Sequence, residues 1–108
     1  KVLKSKIHNA KVTHHNVDYD GSIGIDVDLL EAANFAKYEK VHVLNIDNGE
    51  RLETYVIEET RGSGKICIYG AAAHKIRTGH RIIILSINII ANSPFPKKYC
   101  HVYSDESL

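Results

Sequence analysis

The chain is poor in cysteine, with two in 108 residues, Cys67 and Cys100. Two thiols cannot build the disulfide framework of a small secreted domain, so a reducing cytoplasm is the expected setting. No segment at the N-terminus reads as a signal peptide. An excess of one charge sign is missing as well. Fourteen Lys and Arg stand against 13 Asp and Glu, a formal net charge of +1. That balance gives no basic stripe for nucleic acid. Long apolar runs are absent too. A membrane span needs about 18 apolar residues in a row, and the longest run, Ile82 to Leu85, is strand-sized. There are no repeats, low-complexity tracts or linkers, so residues 1–108 are expected to form one domain. Seven histidines are many for this length. His14 and His15 are adjacent and point to opposite faces of a strand, and Cys67 has no near cysteine. No metal site is expected from such spacings.

What is present reads mostly as β. Val12 to His14, Ser22 to Asp26 and Lys65 to Tyr69 are short runs bounded by turn formers. Val41 to Ile46 and Leu52 to Ile57 flank Asn48-Gly49. That dipeptide is a strong hairpin signal, because glycine tolerates the positive φ such turns require. Arg81 to Ala91 is rich in isoleucine and reads as a long strand with one buried face. Two short helices are expected: one capped by Asp28 through Ala33, and one from Gly70 through Lys75, ended by Gly79. Asn92 to Pro96 closes the compact part, and the polar tail to Leu108 is expected to be loosely held. Many short strands with little helix imply a small barrel or sandwich.

Three local sequences stand out. Gly21-Ser22 joins a loop to a strand, Arg51 to Tyr55 follows the hairpin, and Gly70-Ala71-Ala72-Ala73-His74 opens a helix. Each alone is ordinary: a turn, a solvated arginine, a helix start with small side chains. Together with Lys6-Ile7-His8, Val12-Thr13-His14, Tyr19 and Ile25-Asp26, in this order and at these spacings, they resemble the pyruvoyl-dependent aspartate 1-decarboxylases. The resemblance runs from about Leu3 to Leu85. It implies a double-psi β-barrel with short helices.

The resemblance also implies chemistry. A proenzyme of this kind cuts itself between Gly21 and Ser22, leaving a 1–21 β chain and a 22–108 α chain. The Ser22 hydroxyl attacks the Gly21 carbonyl to give an ester, and elimination and hydrolysis turn residue 22 into a covalent pyruvoyl group. Because a hydroxyl is a poor nucleophile, the fold must hold it close and stabilise the oxyanion. The pyruvoyl group is an electron sink like that of pyridoxal phosphate, so no dissociable cofactor is needed. The substrate is L-aspartate and the products are β-alanine, a precursor of pantothenate and coenzyme A, and carbon dioxide. By this likeness Tyr55 protonates the α-carbon, as a phenol can at neutral pH. Arg51 takes a carboxylate with a two-pronged hydrogen bond, and on a strand it shares a face with Tyr55. Lys6 and His8 support the same pocket. Thr54 assists cleavage and touches substrate, and Gly70, Ala71 and Ala72 offer backbone contacts at a helix N-terminus. The family's homotetramer has active sites between neighbouring subunits.

One position departs from the family pattern. Tyr69 stands where asparagine usually precedes Gly-Ala-Ala-Ala, so that asparagine's function does not transfer to it. Two other readings remain open: a non-enzymatic β-barrel binding module, and a decarboxylase of another small amino acid. A helper protein for maturation is a further partner the sequence leaves open.

Overall fold

The computed structural model describes residues 1–88 and 100–103. Strands β1 (Val2–Lys11), β2 (His14–Asn16) and β3 (Ser22–Asp26) come first, followed by helix α1 (Val27–Ala33). The hairpin of β4 (Lys40–Asn45) and β5 (Arg51–Glu59) leads to β6 (Ile66–Tyr69) and a 3₁₀ helix, Gly70–His74. β7 (Arg81–Asn88) and β8 (Cys100–Tyr103) complete the described chain. The mainly β expectation holds.

The strands lie in the order β2-β6-β3-β5-β4-β7-β1-β8. β1 and β2 are almost continuous in sequence, yet they lie near opposite ends of this order. Between them, the Val12 N–H donates to the His80 carbonyl at 2.9 Å and the Thr13 N–H to the Ile66 carbonyl at 2.8 Å. The N-terminal segment thus stitches the two ends together and the sheet closes on itself. A bulge lets β1 bend: its register against β7 shifts between Ile7 and Ala10, where Asn9 takes φ 64°. Pairing is mixed, with β3–β5 parallel and β3–β6 antiparallel.

Alternation fills the interior. Ile82 and Ile84 of β7, Val41 and Val43 of β4, and Ile23 and Ile25 of β3 are fully buried. Burying one such side chain is worth about 1.5–3 kcal/mol. An exposed ion pair such as Lys40–Glu53 is screened by water and adds little beside this, so the aliphatic interior decides the fold. β3 is buried at every position. Its even-numbered residues, Ser22, Gly24 and Asp26, face away from that interior, so something else must cover them. Part of the cover is the loop after β5: the Asp26 carboxylate accepts from the N–H groups of Gly62 at 3.1 Å and Gly64 at 2.7 Å.

Several expected elements shift. Helix α1 is capped by Asp26, which accepts from the Asp28 N–H at 2.8 Å, and not by Asp28. Asp28 instead binds Arg61 at 2.6 Å. The β4–β5 hairpin forms around Asn48-Gly49, but its loop is longer than a two-residue turn. The Asn45 N–H donates to the Glu50 carbonyl, the Gly49 N–H donates to the Asn45 carbonyl, and Gly49 has φ 76°. The second helix is a 3₁₀ turn that ends at His74, before Gly79. The expected Val12–His14 run lies where β1 passes into β2, and β1 itself, Val2–Lys11, was not expected, since polar residues and the bulge at Asn9 interrupt its apolar pattern. The tail is not wholly loose: Cys100–Tyr103 pairs in parallel with Ser5–His8 of β1. The expected end of the isoleucine-rich strand, the Asn92–Pro96 boundary and residues 104–108 lie outside the described residues.

Candidate active site

The turn before β3 leaves Gly21 exposed and tucks Ser22 in at the start of the strand. Asn16, the last residue of β2, starts the descent: its side-chain oxygen accepts from the Asp18 N–H at 2.9 Å. Ser22 then enters β3 opposite Tyr69 of β6. Its hydroxyl donates to the Asp20 carbonyl at 3.2 Å, so it is held back along its own chain. Gly21 is exposed, and a β-carbon there would meet nothing within 4 Å. On the other side Gly70 presses in. A β-carbon at residue 70 would lie 2.7 Å from the Gly21 α-carbon and 2.8 Å from its nitrogen, and Gly70 has φ 86°. Residue 70 must therefore be glycine on two counts, space and backbone conformation.

A cleft of about 640 Å³ opens above this pair, lined by Tyr19, Asp20, Gly21, Ser22, Tyr38, Tyr55, Ile57 and Tyr69. Tyr55 and Ile57 come from the outward face of β5 by strand alternation, and Tyr55 is 53% exposed. Tyr38 comes from the loop between α1 and β4, in a left-handed conformation with φ 69°. Its N–H donates to the Val56 carbonyl at 2.7 Å. The loop is pinned from below by Glu39, which pairs with Lys4 of β1 at 3.0 Å and accepts from the Ala36 N–H at 2.9 Å and the Ser86 hydroxyl. Burial alone would push the Glu39 carboxyl up. The Ser86 hydroxyl, the Ala36 N–H and the Lys4 ammonium together outweigh it and hold the carboxyl below the usual range.

Tyr69 forms the back wall. Its ring meets the Tyr19 ring edge-on, centroids 5.4 Å apart, and its hydroxyl donates to Glu59 Oε2 at 2.8 Å. Burial pushes the Tyr69 phenol well above its ordinary range, and the neighbouring Cys67 and Glu59 push the same way. Tyr69 therefore stays protonated at any physiological pH.

Of the residues singled out in the sequence, Tyr19, Gly21, Ser22, Tyr55 and Tyr69 line this cleft and Gly70 touches Gly21. Arg51 and Tyr55 are both exposed at same-parity positions of β5. They lie about 13 Å apart along the strand, and Arg51 is not among the lining residues. Thr54 points to the opposite side of β5 from Tyr55. Ala71 is exposed and Ala72 half-buried in the 3₁₀ turn. Lys6 and His8 sit on β1, paired with β7 and β8 away from β3. The residues not singled out are Asp20, Tyr38 and Ile57 of the lining, and Glu59 behind Tyr69. Ile57 and Glu59 repeat the period-two spacing from Tyr55 and were findable on that signal. Tyr38 was not, since its place depends on a left-handed turn anchored by a distant lysine.

The comparisons with known proteins agree with one another. A family model described as aspartate decarboxylase matches residues 1–106. Aspartate 1-decarboxylase of Dehalococcoides mccartyi (strain CBDB1) is 56% identical over 89 residues, 82% of this chain and 72% of the relative. The enzyme of that name from Caldicellulosiruptor saccharolyticus is 57% identical over 86 residues, 80% of this chain and 67% of the relative. That from Phocaeicola vulgatus is 55% identical over 86 residues, 80% of this chain and 74% of the relative. A turn that sets exposed Gly21 beside shielded Ser22 at the foot of a cleft, the tyrosines around them and a match along nearly the whole chain point the same way: the chain belongs to the aspartate decarboxylase family.

Proposed function

We propose that this chain is a self-processing, pyruvoyl-dependent decarboxylase that converts L-aspartate to β-alanine and carbon dioxide, supplying pantothenate and coenzyme A synthesis. The observation that carries the reading, beside family membership, is the Gly21-Ser22 bond at the foot of an open cleft that Tyr55 overlooks. Cleavage begins when the Ser22 hydroxyl leaves the Asp20 carbonyl and attacks the Gly21 carbonyl carbon. The hydroxyl proton passes to the Ser22 nitrogen, the peptide C–N bond breaks and an ester C–O bond replaces it. The open space beside Gly21, where a side chain would otherwise stand next to the carbonyl, supports the step.

The surroundings of Ser22 suit the pyruvoyl group that it would become. The position is nine-tenths shielded from solvent, flanked by the glycine pair and open on one side to the cleft. When present, the group supplies a ketone that accepts an amine and draws electrons from the adjacent carbon. Tyr55 supplies the proton that the α-carbon needs after loss of carboxylate. Tyr69 is less suited, since its hydroxyl is already committed to Glu59.

Aspartate carries two carboxylates, yet among the described residues the cleft lining holds no cation and one acid, Asp20. The cations must come from elsewhere. Arg51, Lys6 and His8 are the residues proposed to supply them, with Thr54, Ala71 and Ala72 alongside. Arg51, Lys6 and His8 do not line the cleft of their own chain, which supports a homotetramer in which neighbouring copies complete each site. The experiment is a denaturing gel with a β-alanine assay on the same sample. Two chains and β-alanine formed from aspartate are expected; a single chain inert toward aspartate contradicts the proposal.

A further inference from the structure

Glu59 lies across β3 in an unusual way. A β-carbon on Gly24 would sit 2.0 Å from Glu59 Oε2 and 2.8 Å from its Cγ and Cδ. The carboxylate thus occupies the space that a side chain at 24 would fill. Gly24 has no positive φ, so its backbone does not demand glycine; the glutamate does. From there the same oxygen, Oε2, accepts the Tyr69 hydroxyl at 2.8 Å. Tyr69 is the strand partner of Ser22, Gly24 is the partner of Cys67, and Glu59 belongs to the far end of β5. Three strands therefore meet in one contact immediately behind the Gly21-Ser22 bond.

We infer that Glu59 is a positioning residue: laid in the space left by Gly24, it holds the Tyr69 hydroxyl and so fixes the Tyr69 ring as the cleft wall beside Ser22. The ring has two restraints, the Glu59 hydrogen bond at its tip and the edge-on contact with Tyr19 on its flank. Removing the first leaves a large aromatic side chain free to swing over the cleft, where it competes with substrate. The loss falls on substrate binding, because Ser22 and Tyr55 are untouched. The effect on binding rests on the proposed function; the contact between Glu59, Gly24 and Tyr69 does not.

The test uses Glu59→Ala, Glu59→Gln, Gly24→Ala and the Gly24→Ala/Glu59→Ala double variant of the full chain. Thermal midpoints come first and need no activity. Gly24→Ala is expected to lower the midpoint by several degrees on its own, because the glutamate must move. In the Glu59→Ala background the same change is expected to do little, because the obstacle has gone. Additive shifts overturn the contact itself. Steady-state kinetics come second. Glu59→Ala and Gly24→Ala are each expected to raise KM for aspartate about tenfold, the worth of one hydrogen bond to a charged group, with kcat within about twofold. Glu59→Gln is expected to restore KM, since its amide oxygen still accepts the Tyr69 hydroxyl. A purely structural residue would lower the active fraction, and hence kcat, at constant KM; that result overturns the inference. If the parent chain is uncleaved and inactive, the functional proposal fails while the midpoints still decide the contact.

Discussion

Gly70 and Gly21 meet backbone to backbone across the foot of the cleft. A β-carbon on residue 70 would stand 2.7 Å from the Gly21 α-carbon and 3.1 Å from the Tyr19 carbonyl oxygen. The contact joins the start of the 3₁₀ turn to the bond proposed to break.

Gly70→Ala is therefore expected to impair maturation more than folding. The positive φ and the clash together cost about 1–3 kcal/mol, which a domain of this size registers as a midpoint lowered by about 5–20 °C. The folded fraction should accumulate as uncut chain, measured by denaturing gel over time. Cleavage at the wild-type rate would remove Gly70 from the account of processing.

Tyr55→Phe removes one exposed hydroxyl and no packing. Cleavage should proceed, since Ser22 carries its own nucleophile. Decarboxylation of the mature protein should slow by about 10²–10⁴-fold, the usual worth of a positioned acid. Unchanged turnover would shift the proton donor to another group.

Arg51 tests how the substrate is read. An ammonium cannot make the two-pronged contact of a guanidinium, so Arg51→Lys should lower kcat/KM for aspartate despite the retained charge. Arg51→Ala should cost about 2–5 kcal/mol, roughly 30- to several-thousand-fold. Measured beside alanine as substrate, the loss should be larger for aspartate if Arg51 reads the side-chain carboxylate. An equal loss on both assigns it to the α-carboxylate. No loss on either makes it a solvated hairpin residue.

Much of this was legible in the residues, and the failures have physical causes. Apolar runs on either side of Asn48-Gly49 marked β4, β5 and their hairpin, and the isoleucine-rich run marked β7. Gly21-Ser22 was visible as a loop-to-strand junction. The bulge at Asn9 hid β1, because a left-handed asparagine breaks the period-two pattern by which strands are recognised. The cap of α1 was displaced by two residues because Asp26 also serves the loop at Gly62 and Gly64, a contact spanning more than a strand in sequence. The Glu59–Gly24–Tyr69 contact was invisible, since only the register of three strands brings those residues together.

Acid should expose two carboxylates that the fold depends on. Burial pushes Asp26 up, but the N–H groups of Gly64, Asp28 and Gly62, with Arg61, outweigh it and hold its carboxyl below the usual range. Glu39 is held down in the same way. A carboxyl lowered in the folded state contributes stability that is complete above the unfolded value and lost as pH falls through the folded one. The melting midpoint should thus be flat above about pH 5 and fall steadily below about pH 4. Asp26→Asn should lower the plateau, since its amide turns a donor toward backbone N–H groups, and should flatten the acid limb. An unchanged acid limb in that variant would assign the effect to other carboxylates.

The central claim is that this chain makes its own reactive group by cutting before Ser22, and intact-mass spectrometry of the purified protein tests it most directly. The account predicts two chains: one ending in a Gly21 carboxylate, and one beginning at position 22, lighter than a serine-started chain by one ammonia. Ser22→Ala should remain a single chain. An uncut wild-type protein, a fragment with an ordinary serine terminus, or cleavage of Ser22→Ala would contradict it.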